Sequence, residues 1–114
     1  MTAVGVALLG AVGAVLRHYA GHWSARRGGW PRGTLLVNIT GSLIAGVVIG
    51  ATGSREVVAW LVAGFCGGLT TFSTWSVEVV ELAEGRQRWR ALGYGLGTAV
   101  LCVLAAWTGL ALAG

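Results

Sequence analysis

One stretch of the sequence, Gly64–Glu78, combines residues that can bind an ion inside an apolar segment. It reads GFCGGLTTFSTWSVE and carries five hydroxyl side chains: Thr70, Thr71, Ser73, Thr74 and Ser76. A glycine pair followed by two threonines favours a break in a helix, because glycine lowers helix propensity and threonine loses side-chain freedom. In a bilayer, protein, water or a bound ion must satisfy the backbone groups that a break exposes. Broken membrane helices therefore often mark ion sites.

A second polar feature is the stripe Thr34, Asn38 and Ser42, whose spacing of four places the side chains on one helix face. Interhelical hydrogen bonds and close packing explain most such stripes in membrane helices. Asn38 is the exception, because a carboxamide deep in a membrane segment is costly unless it is paired, and its NH2 group offers two donors to an anion. Asn38 is therefore a candidate anion ligand.

The composition is that of a membrane protein, with 55% hydrophobic and 11% charged residues and a mean hydropathy of +0.75. Four apolar segments of about 20 residues each can span a bilayer: Ala3–His22, Gly33–Thr52, Val57–Leu82 and Ala91–Ala113. We therefore predict one all-α domain over residues 1–114, with four transmembrane helices, the third broken near its middle, and the first retained in the mature protein.

The eight basic residues are all arginines and lie beside the apolar runs, so they are topology signals and do not indicate nucleic-acid binding. The predicted loops one and three carry six of them and Arg17 lies nearby, whereas Arg55 stands alone on the other side. The positive-inside rule then predicts mostly one orientation, with both termini outside. Cys66 and Cys102 have no ligand-like spacing and are expected to be free thiols.

In the first segment, Gly10, Gly13, Ala14 and Arg17 share a face of small residues that ends in a cation. Arg17 can reach the headgroups or point into an aqueous vestibule that attracts anions. His18 and His22 share another face at a spacing that can hold a metal, but no third ligand is visible. They are interpreted as interfacial histidines.

Three motifs resemble those of the Fluc (CrcB) fluoride channels: GAVGAVLRHYA at Gly10–Ala20, GTLLVNITGS at Gly33–Ser42, and GGLTTFSTW with Glu78. They keep the family's order and spacing, and the length of 114 residues also fits. The resemblance implies a multi-pass protein of the cell membrane that exports fluoride passively and limits fluoride toxicity. It also implies an antiparallel dimer with two pores.

By this resemblance Asn38 lines the fluoride pathway, and Phe72 presents the positive edge of its ring to the anion. Trp75 stands where the family has a second phenylalanine; it keeps a positive edge and adds an N–H donor. The family's polar track matches Tyr94 and Thr98 but weakens here at Cys102 and Ala106. The implied pathway comprises Arg17, Asn38, Phe72, Ser73, Thr74, Trp75, Glu78, Tyr94 and Thr98.

The resemblance further implies a structural sodium ion, held by the carbonyl oxygens of Gly67 and Thr70 and shared with a partner subunit. Backbone oxygens suit a hard cation. Antiparallel homodimers with dual topology need a small arginine bias, and the bias here is large. The partner is therefore either a second copy or an oppositely oriented homologous chain.

Two other functions remain open from the residues alone. A small multidrug-type transporter has a similar length, but it binds cations through an acidic residue in its first helix, and here no acidic residue precedes Glu56. A non-conducting partner subunit of a heterodimeric channel is the second. An enzyme is not expected, because two histidines and four acidic residues assemble no nucleophile–base pair or metal cluster.

Overall fold

The computed structural model describes residues 2–27 and 32–114, with the side chains of residues 2–23 and 32–114. The side chains of Arg26 and Arg27, which enter the predicted arginine bias, lie outside the described residues. The helices are α1 (Thr2–Arg27), α2 (Arg32–Ala51), α3 (Arg55–Val58), α4 (Gly67–Leu69), α5 (Phe72–Glu84) and α6 (Arg88–Ala113). A π-helical segment, Ala59–Cys66, joins α3 to α4 without interruption.

Four helical stretches are long and apolar enough to cross a membrane: Thr2–Trp23, Arg32–Ala51, Arg55–Glu84 and Arg88–Ala113. Each agrees with a predicted segment to within a few residues at either end, so the all-α class and the four spans are confirmed. Short capped turns separate the last three spans. Ser54, for example, accepts a hydrogen bond from the backbone N–H of Val57 at 3.3 Å and begins the third span.

The third span is interrupted at Thr70 and Thr71, whose backbone is extended (φ −79°, ψ 157° and φ −147°, ψ 121°). The helix continues through the glycine pair and ends only at Leu69. Gly68 instead allows a close helix contact, because a Cβ there would overlap the carbonyl oxygen of Gly10 on α1.

The second close contact joins α2 and α6. A Cβ on Gly46 would overlap the carbonyl oxygen of Ala106, and a Cβ on Gly109 would overlap that of Leu43. Without a hydrophobic force between helices in lipid, packing at such small residues holds membrane helices together. Ala106 therefore lies at the helix crossing, which accounts for the end of the polar track on α6.

Gly46→Ala should lower the melting temperature of the purified protein, because the new methyl group must push α6 away; overpacking typically costs about 1–3 kcal/mol. Gly93→Ala on α6 is the matched control, since a Cβ there meets nothing within 4 Å. Alanine is the better helix former, so the control should melt at the parent temperature or higher. Equal melting temperatures for Gly46→Ala and the parent would contradict the packing account.

Candidate functional site

The break in the third span is held by hydrogen bonds from its own threonines. The N–H and the hydroxyl of Thr70 both donate to the carbonyl oxygen of Cys66, each at 2.8 Å. The hydroxyl oxygen of Thr71 accepts from the N–H of Thr74 at 3.1 Å and so caps α5. The bond from the Thr70 N–H is the last of the helical ladder before the break, and the Thr71 hydroxyl replaces the carbonyl oxygen of Thr70 as the acceptor for Thr74.

Asn38 binds the break to α2 through a pair of buried hydrogen bonds. Its Nδ2 donates to the carbonyl oxygen of Thr71 at 3.1 Å, and its Oδ1 accepts from the N–H of Thr71 at 2.8 Å. The carboxamide thus satisfies both backbone groups of a residue that has left the helix. One of its two N–H groups is committed to Thr71, so the predicted two donors for an anion are reduced to one.

A groove of about 320 Å³ runs beside the break. Its wall includes the predicted residues Asn38, Phe72, Trp75 and Thr98, together with Ser42, Thr70, Thr71, Ala99 and Cys102. Trp75 Nε1 and Thr98 Oγ1 are buried and have no hydrogen-bond partner among the described residues. Unpaired donors are costly in an apolar setting, so a ligand or water that pairs with either donor would remove that cost.

Phe72 begins α5 at the edge of the groove, where 77% of its surface is exposed. Its ring centroid lies 5.4 Å from that of Trp75, and the planes are tilted by 44°. The two aromatic side chains predicted to contact an anion are therefore neighbours. Because Phe72 is exposed on the single chain, the groove is open along that side.

A second cavity of about 410 Å³ lies next to the groove and shares Thr71 with it. Arg17 lines this cavity together with Thr34 and Thr74. Arg17 therefore lies at the wall of a cavity that also contains hydroxyl side chains, and the aqueous vestibule stays a prediction. A cation there raises the local concentration of anions.

Glu78 and Tyr94 form a third feature, since the hydroxyl of Tyr94 donates to Glu78 Oε1 at 3.0 Å. Tyr94 is buried and does not line the groove, because its hydroxyl is bonded to Glu78. Thr98, one turn further along α6, does line the groove. Glu78 lines a cavity of about 350 Å³ with Ser73 and Thr74. Eight of the nine predicted pathway residues are thus distributed over three cavities, and Tyr94 lines none of the three.

The carbonyls predicted to hold sodium belong to the C-terminal end of α4. In a continuous helix the N–H of Thr71 would donate to Gly67 and that of Thr74 to Thr70, but here they donate to Asn38 and to the Thr71 hydroxyl. The carbonyl oxygens of Gly67 and Thr70 therefore have no intrahelical partner, and they lie at the negative end of a helix. This donor set fits a hard cation.

Sequence reasoning did not identify the role of Thr71 as the cap of α5 and the partner of Asn38. It also did not place Ser42 and Cys102 among the site residues. Ser42 follows Asn38 by four residues and Cys102 follows Thr98 by four, so each pair shares a helix face. This spacing could have identified Ser42 and Cys102, because all four residues line the same groove.

The fold and the groove define a membrane protein of four spans with a groove beside an interrupted helix. The chain belongs to the CrcB family, because residues 4–110 match the family described as CrcB-like protein, Camphor Resistance (CrcB). This family consists of ion channels and not of enzymes, and the chain is accordingly a multi-pass protein of the cell membrane.

Three proteins similar to this chain are named fluoride-specific ion channels. The chain is 41% identical to FluC 2 of Rhodococcus jostii, with 98% of both chains covered. It is 44% identical to FluC 2 of Natronomonas pharaonis, over 98% of this chain and 94% of the relative. It is 42% identical to FluC of Pseudomonas syringae pv. tomato, over 97% and 95%.

Proposed function

We propose that this chain is a subunit of a fluoride-selective channel that lets fluoride leave the cell passively and so limits its toxicity. The observation that carries the proposal is the groove beside the break, whose wall brings together four of the predicted pathway residues: Asn38, Phe72, Trp75 and Thr98. Fluoride is small and strongly hydrated, so a pore must replace its water with strong donors. The names of the relatives supply the identity of the ion.

Neutral donors suit conduction, because an ion must bind well enough to enter and weakly enough to leave. The groove is lined by amide, hydroxyl, thiol, apolar and aromatic groups, and no cation occurs among the described residues that line it. Arg17 lies instead in the neighbouring cavity, where it can collect anions without holding them along the path. Glu78 is positioned by the hydroxyl of Tyr94 and lines the cavity that contains Ser73 and Thr74.

The channel is proposed to be an antiparallel dimer. Phe72 is largely exposed and the groove is open on its side, so a second chain is needed to enclose the path. The partner is either a second copy or an oppositely oriented homologous chain. A sodium ion held by the carbonyls of Gly67 and Thr70 would supply a fixed positive charge that joins the two subunits.

The multidrug-type alternative receives no support from a specific feature, since α1 carries no acidic residue to bind a cationic drug. The channel is tested by loading liposomes with fluoride and following its release with a fluoride electrode. The liposomes contain the purified protein either alone or together with an oppositely oriented homologous chain. Release without an energy source is expected. Retention of fluoride in both preparations, as in liposomes without protein, would contradict the proposal.

Trp75→Phe should keep or raise fluoride flux, because it restores the phenylalanine of the resembled family and retains an aromatic edge at the wall of the groove. Trp75→Ala should lower flux, since the edge is lost. Both variants are compared with the parent by the initial rate of fluoride release per protein. Rates equal to the parent in both variants would make Trp75 a packing residue only.

A further inference from the structure

We propose that His18 and His22 form a binding site for a divalent transition-metal ion, with Zn²⁺ as the probe, at the cavity that contains Arg17. The two imidazole rings lie on one face of α1, with centroids 4.8 Å apart and planes at 77°. Histidines four residues apart on a helix are a known arrangement for binding zinc with two nitrogens.

The observed ring separation fits a shared ion. With Zn–N distances of about 2.0–2.1 Å and tetrahedral angles, the centroids of two ligating rings lie roughly 5 Å apart. The observed centroid separation of 4.8 Å is close to this value.

Both rings are also available to a ligand. His18 and His22 are exposed, and no hydrogen bond identified within the described ranges 2–23 and 32–114 engages their ring nitrogens. They line two cavities, one with Arg17 and one with Tyr19 and Trp23. Within the part of the chain that the structure describes, no group of three or more potential ligand residues occurs. The site therefore offers two imidazole nitrogens from the described residues, and water is expected to complete the coordination, so that the ion exchanges with solvent.

A bound Zn²⁺ ion should lower the fluoride flux, an inference that rests on the proposed channel function. The same cavity contains Arg17 and shares Thr71 with the groove beside the break. A divalent cation there adds two positive charges next to the guanidinium of Arg17. Fluoride would then be held at the entrance, and because conduction requires weak binding, flux should fall.

Metal binding itself is measured by titrating Zn²⁺ into the purified full chain, without a polyhistidine tag, in a calorimeter. One ion per chain is expected, with loss of the signal in His18→Ala and in His22→Ala. Cys102→Ser, which removes the half-buried thiol of the groove, should bind like the parent. Mg²⁺ should not bind at this site, because it prefers oxygen ligands. Unchanged Zn²⁺ binding in both histidine variants, or none in the parent, would overturn the site.

Transport is measured separately, as fluoride release from liposomes with and without Zn²⁺. Inhibition of the parent and its loss in both histidine variants are expected, with flux in the absence of Zn²⁺ retained. Zn²⁺ binding together with Zn²⁺-insensitive flux would overturn the inhibitory effect. Zn²⁺ binding in a protein that passes no fluoride would support the site and refute the channel, so the two failures are distinguishable.

Discussion

Asn38→Asp is expected to abolish fluoride release and to lower the melting temperature. One carboxylate oxygen can still accept from the N–H of Thr71, but the other replaces a donor and faces the carbonyl oxygen of Thr71. An unsatisfied buried polar group costs about 1–3 kcal/mol, and a charged one costs more. The substitution also places an anion in the wall of the groove, where it repels fluoride. Flux and thermal unfolding are measured on the same preparation.

Ser42→Ala is the matched control for Asn38→Asp. Ser42 lies one turn further along α2 and lines the same groove, but it forms no hydrogen bond to the break among the described residues. It should fold like the parent and lose only part of the flux. A folded Asn38→Asp protein with parental flux would remove Asn38 from the pathway.

The second large effect concerns orientation in the membrane. Seven of the eight arginines lie on one side of the four predicted spans and Arg55 on the other. A reporter fused after Gly114 should therefore be predominantly extracytoplasmic. The chain expressed alone should give weak flux, because an antiparallel homodimer needs both orientations, and an oppositely biased homologous chain should restore it. Reporter activity on each side of the membrane and fluoride release measure the two parts of this prediction.

A variant with a smaller bias separates orientation from conduction. Arg86→Asn, Arg88→Gln and Arg90→Gln together reduce the arginines on the rich side from seven to four. These three residues are exposed in or beside the last loop and line none of the three cavities of the site. The variant should insert in both orientations more often and release more fluoride when expressed alone. Strong flux from the parent alone, with reporters active on both sides, would instead establish a homodimer.

The four spans were predictable because apolar length alone limits where a chain can cross a bilayer. The position of the break was predictable only approximately. Gly67 and Gly68 suggested an earlier end to the helix, but tertiary packing overrides their low propensity, since Gly68 lies against Gly10. The sequence contains no comparable signal for the π-helical segment Ala59–Cys66.

The site was predictable in its residue types but not in its hydrogen bonds. Spacing of four placed Asn38 and Thr98 on inward faces, and both line the groove. The bond between Asn38 and Thr71 joins positions 33 residues apart, and the bond between Tyr94 and Glu78 crosses from α6 to α5. Such pairings depend on how the helices pack, which helical spacing does not determine.

The most direct test of the channel is the release of fluoride and chloride from liposomes loaded with equal amounts of both ions. The purified chain is reconstituted alone and with an oppositely oriented homologous chain, and each anion is followed with its own electrode. A passive, fluoride-selective channel should release fluoride and retain chloride, and abolishing any proton gradient should have no effect on the release. Chloride release alongside fluoride, or fluoride release that requires a proton gradient, would contradict it.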